Sequence, residues 1–141
     1  MAVRLQANQI QNLQQIEAVV SSSEGAMRLV TVTGQSSNIG FSAFSQGPFT
    51  QADQTFTVLI GPTLTRQQFV RAICTASVAQ TSQNVQVAPG QFVCGIASGD
   101  ADWDDESGQV ELRVEVTVNV SGNGNSATLN SFSFQVTILA A

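Results

Sequence analysis

One stretch constrains the fold more than any other. From 110 to 120 the even positions are Val110, Leu112, Val114, Val116, Val118 and Val120, while the odd ones are Glu111, Arg113, Glu115, Thr117 and Asn119. Strict period-two alternation over such a length describes a β-strand with one apolar face toward a core and one polar face toward water. A turn-rich segment follows at 121–126, and then Phe132, Phe134, Val136 and Ile138 alternate with Ser131, Ser133, Gln135 and Thr137. Asn123-Gly124 tolerates the positive φ of a tight turn. Residues 109–138 therefore read as a long antiparallel β-hairpin. Its arms would reach roughly 30 Å at strand spacing, against a usual strand of about 5–6 residues. The excess suits an arm that meets another subunit, or a strand pair that spans the whole sheet.

The register of such a hairpin meets an obstacle. Directly opposed residues share a face of the sheet. A two-residue turn at Asn123-Gly124 pairs Val116 with Ser131, which puts most of the second strand wrong side out. The expectation is an odd-numbered loop or a β-bulge between Leu129 and Ser131; the bulge also explains why Leu129 is apolar at an odd position.

Elsewhere, period-two segments predict strands at 27–33, 39–43, 56–60, 85–87 and 92–97. Two segments read as helices. Asn8 with Gln11 resembles an N-cap pair, and Ile10, Leu13, Ile16 and Val20 recur at helical spacing, with 21–25 ending the run. From Leu64 to Gln80, Thr65 and Gln68 form a capping box, Leu64 and Phe69 a hydrophobic staple, and Phe69, Ile73 and Ala76 share a face. The expected fold is all-β: a single domain over 1–141, an antiparallel β-sandwich of six to eight strands. One or two short helices and the long C-terminal β-hairpin complete it, with 1–24 as an N-terminal arm or helix. The chain of 141 residues is long enough to bury a core of its own.

Charge excludes several functions. The only basic residues are five arginines, at 4, 28, 66, 71 and 113, and the formal net charge is −5. No basic stripe exists to neutralise phosphates or to meet an anionic membrane, so neither nucleic acid nor membrane is an expected partner. No apolar leader and no run long enough for a membrane span occurs. With no His, Lys or Tyr, general acid–base chemistry and activated nucleophiles lack their usual side chains, and the chain is expected not to be an enzyme.

Three features remain as candidate sites. Asp100, Asp102, Asp104 and Glu106, with Glu111 further on, follow the oxygen spacing of a calcium loop, although Asp105 stands where such a loop needs Gly. Calcium is the one cofactor they suggest, set against a plain solvated acidic turn. Trp103, the single Trp, sits among these acids as a candidate interface anchor, a sugar platform or a side chain folded back over the sheet edge, and Leu13, Ile16 and Val20 form a candidate docking stripe. Cys74 and Cys94 are either two small buried thiols or a disulfide. The function these readings favour is a non-enzymatic, self-assembling structural subunit, a homo-oligomer or a part of a larger assembly. A virion component such as a capsid decoration or tail protein fits, as does a filament subunit, in a virion or an extracellular assembly. The alternative is an extracellular β-module that binds carbohydrate or protein, assisted by calcium.

Overall fold

The computed structural model describes residues 1–23 and 25–141. The described residues form nine strands: β1 (Val3–Arg4), β2 (Ile10–Ser22), β3 (Gly25–Ser36), β4 (Phe41–Phe44), β5 (Thr50–Ile60), β6 (Phe69–Asn84), β7 (Phe92–Trp103), β8 (Val110–Val120) and β9 (Ser126–Ala140). They form two sheets packed face to face. One has the order β1-β5-β8-β7; the other has the order β2-β3-β9, with β4 and β6 also on β9. All pairings are antiparallel except the short β1–β5 contact. The expected all-β sandwich is thus the fold.

The alternation of 110–120 marks a strand, but not half of a hairpin with 126–140. β8 pairs with β5 and β7, and β9 pairs with β3, β4 and β6. The two strands lie in opposite sheets, and the turn-rich link between them crosses from sheet to sheet. This removes the register conflict: two apolar faces that cannot be matched side by side are matched face to face, as sheets in a sandwich are. The even residues of β8 and Phe132, Val136 and Ile138 of β9 form the centre of the core, with essentially no exposure. Phe41, Phe56, Phe132 and Phe134 bridge the sheets as successive ring contacts with centroids 6.4, 6.1 and 6.4 Å apart. Hairpins do occur, in β2–β3 and in β7–β8.

The bulge expected near Leu129 is present, against a different strand. Thr81 pairs with Leu129, Gln80 with Ser131 and Val78 with Phe132, so Asn130 and Ala79 are each skipped. Parity changes there: Ala127 and Leu129 are buried before it, Phe132 to Ala140 at even positions after it.

The crossing link is held by Asn125, which is fully buried. Its Oδ1 accepts from the backbone N–H of Gln86 (2.7 Å) and Val87 (3.0 Å), and its Nδ2 donates to the carbonyls of Val87 and Ser121, both at 2.9 Å. Gly122 has φ of 100°, and a Cβ there would collide with Asn125 Nδ2, so only glycine fits.

Neither expected helix forms. Among the described residues the only helical piece is the 3-10 turn Ala7–Gln9, closed by Gln6 N–H donating to Gln9 Oε1 (2.8 Å). The segment 10–22 is β2, and 69–84 is β6. The Thr65–Gln68 capping box is real: Thr65 N–H donates to Gln68 Oε1 at 2.9 Å and Gln68 N–H to Thr65 Oγ1 at 3.2 Å. It closes one turn, after which β-branched Val70, Ile73, Thr75 and Val78 favour the strand that the free edge of β9 offers. The first residues are no free arm either, because Leu5 is buried in the core.

Candidate assembly surface

β2 is the least enclosed long strand. It pairs with β3 from Ile10↔Ser36 to Ser22↔Gly25 and ends its sheet, so among the described residues no strand meets its outer edge. A bulge between Gln11 and Gln14, with Asn12 at φ 54°, interrupts the pairing near its start. From Gln11 to Ser21 every residue is exposed, on both faces. Leu13, Ile16, Val19 and Val20 are among these; Ile16 and Val19 are both 68% exposed. One charged side chain lies on the strand: Glu17 accepts from Arg28 Nε at 2.5 Å and Arg28 Nη2 at 3.3 Å. The hydrogen bond to Arg28 holds the Glu17 carboxyl below the usual range. Natural edge strands are commonly guarded by Lys, Pro or unpaired charges. β2 has no Lys or Pro, and its single charge is neutralised.

The sheet that β2 ends also has an unusual outer face. Register places Ile16, Thr31, Thr137 and Ile73 in one row across β2, β3, β9 and β6, and Ala18, Leu29, Leu139 and Arg71 in the next. A shallow groove of about 280 Å³ runs there, lined by Leu29, Arg71, Ile73, Thr137 and Leu139. The following row, Gln14, Thr33, Gln135 and Thr75, is polar without charge. The opposite sheet faces outward with Asp53, Asp100, Asp102, Glu111, Arg113 and Glu115 on β5, β7 and β8. One face of the sandwich is charged, and the other is nearly neutral and partly aliphatic.

The residues expected to form an interface are thus divided. Leu13, Ile16 and Val20 all lie on β2; Ile16 and Val20 share the face of Thr31 and Met27, and Val19, as exposed as Ile16, lies on the other face, opposite Arg28. Trp103 is elsewhere, at the end of β7. Its indole N–H donates to the carbonyls of Leu64 (3.0 Å) and Gly108 (3.2 Å), and the Arg66 guanidinium covers its ring at 5.6 Å. The indole pins the segment before β6 to the β7–β8 turn.

The acidic residues are spread out rather than gathered. Asp100 and Asp102 project from β7, facing Arg113 and Glu111 across the ladder. Asp104 Oδ2 accepts from Ser107 Oγ (2.6 Å) and Ser107 N–H (3.0 Å), and these bonds lower its carboxyl pKa. Glu106 is exposed in the turn. Glu111 is ion-paired to Arg4 at 2.6 Å and to Arg113 at 3.4 Å. Among the described residues no three acidic, Cys or His side chains converge to hold a metal.

The two cysteines are free, which corrects the disulfide expectation. Cys74 Sγ lies beside Gly99, whereas Cys94 is near the other end of β7, about 16 Å along the strand from Gly99. Burial pushes both thiols up.

Comparison with family models, with curated proteins and with solved structures gives no match.

Proposed function

We propose that this chain is a non-enzymatic structural subunit that assembles with copies of itself or with other subunits of a virion, tail or filament. The observation that carries this reading is the contrast at β2. A strand of 13 residues presents an unguarded backbone edge and exposed aliphatic side chains, next to the neutral face of its sheet. In a monomer such an edge is a standing liability, because its N–H and C=O groups template pairing with another chain. Contact with another subunit turns it to use. The scarcity of acid–base side chains agrees with this reading, as does the internal use of Trp103, which removes the side chain best suited to a sugar platform. Light scattering coupled to size exclusion, over a dilution series from micromolar to near-millimolar chain, tests the reading. A mass that rises above one chain supports it. A single-chain mass at every concentration overturns it.

A further inference from the structure

We propose that the occupant of the β2 edge is β2 of a second copy, running antiparallel about a two-fold axis centred on Ile16, so that the two sheets join into one. The proposal rests on the assembly reading above and names its contact.

The edge admits few registers. In a two-fold antiparallel pair the opposed residues share a face, so each residue must meet one of the same parity. The strand must therefore be centred on a residue rather than between two. The bulge between Gln11 and Gln14, with Asn12 at positive φ, ends regular pairing at Gln14 and leaves Leu13 just outside it, and the turn after Ser22 ends it at the other side. Centring on Glu17 sets Glu17 against Glu17 of the copy, which like charges oppose. Centring on Ala18 opposes Glu17 to Val19. Centring on Ile16 opposes Ile16 to Ile16, Val19 to Leu13, Ala18 to Gln14 and Glu17 to Gln15. Both aliphatic pairings are then satisfied, and each Glu17 keeps Arg28 on its own hairpin. The regular paired segment runs from Gln14 to Ala18, with Leu13 and Val19 flanking it, about the length of an ordinary strand.

Chemistry matches the chain to itself better than to a charged partner. The strand offers one carboxylate already paired, and its neighbours on β3 from Gln14 to Val19 are Thr, Val, Leu and the Arg28 that pairs Glu17. A two-fold perpendicular to the sheet also keeps the two neutral outer faces on the same side, so the row through Ile16, Thr31, Thr137 and Ile73 continues into the copy.

The test uses the full chain with Cys74→Ala and Cys94→Ala, carrying either Ile16→Cys or Gln14→Cys. Opposed residues across antiparallel strands have Cα atoms about 4.5–5.5 Å apart, within disulfide range. Under mild oxidation Ile16→Cys accumulates as a covalent dimer, while Gln14→Cys, which faces Ala18 of the copy, stays unlinked. Hydrogen exchange on the unmodified chain gives a second readout that needs no variant: amides from Leu13 to Val19 gain protection as concentration rises. If the chain is a monomer at all concentrations, this proposal and the assembly reading fall together. If it assembles, but Ile16→Cys does not link and the β2 amides exchange as fast as at high dilution, this proposal alone is overturned.

Discussion

β8 and β2 are strands of similar length with opposite fates. β8 has a hydrogen-bonded neighbour on each side, β5 and β7, and every even residue from Val110 to Val120 is sealed under the opposite sheet. β2 has one neighbour, β3, and none of its residues from Gln11 to Ser21 is buried. Both strands carry aliphatic side chains. What separates them is position: β8 lies in the middle of its sheet, under the other layer, whereas β2 overhangs the edge. Aliphatic content thus stabilises the fold at one place and is left over at the other. The left-over portion is what an assembly contact would use.

Truncation should give the widest separation between the two. Leu112→Ala, at a site with no exposure, is expected to cost about 2–5 kcal/mol through lost burial and the cavity it leaves. Ile16→Ala on β2 should change the stability of dilute chain by less than about 0.5 kcal/mol. Urea melts of both at low concentration check this, and similar midpoints would erase the distinction.

Asn125→Ala should come next, at about 2–3 kcal/mol. It deprives backbone groups of Gln86, Val87 and Ser121 of the fully buried amide that ties them to the link leading from β8 to β9. Thermal unfolding measures it, and an unchanged midpoint would mean that the crossing does not depend on that side chain.

Native-state hydrogen exchange sharpens the comparison without mutation. Amides of β8 should exchange only through global opening, and those of β2 facing away from β3 should exchange without any opening in dilute solution. Equal protection of the two strands would contradict the exposed edge.

The smallest effect is that of acid. Glu17 on β2 and Asp104 beside Trp103 both have carboxyl pKa values lowered in the folded chain, by Arg28 and Ser107 respectively. A depressed folded value favours the native state at pH above the unfolded value, about 4. That contribution is lost as pH falls through the folded values. Stability should therefore decline below about pH 4. Glu17→Gln should flatten the decline slightly without altering stability at neutral pH by much, as melts across the acid range would reveal.

Much of this is legible in the residues. The strand at 110–120 and the alternation at 132–138 are readable because burial on one face leaves a period of two whichever strand is alongside. The bulge near Leu129 is readable for the same reason, since a change of parity marks it. The two helices mislead because a few apolar residues happen to fall three or four apart. Ile10, Leu13, Ile16 and Val20 fit such a stripe, but a helix of that length gains stability chiefly by packing its stripe on something. At 10–22 the available partner is β3, along its whole length. The docking stripe at Leu13, Ile16 and Val20 follows from the wrong premise, since alternation along β2 puts Val19 and Val20 on opposite faces. The acidic run shows its charges but not their partners, because Arg4 meets Glu111 only in three dimensions and the turn that brings Ser107 onto Asp104 has no distinctive spacing.

Alternation along the chain already sorts the residues that seek the core from those that seek water, and with that sets the all-β character of the protein. Tertiary structure alone decided which strand lies beside which. Alternation records the side of a strand that is dry and carries no mark of its hydrogen-bonded neighbour, since backbone N–H and C=O groups are alike at every position. So β8 and β9, adjacent in the chain and matched in pattern, meet face to face in opposite sheets, and β2 is left at the edge.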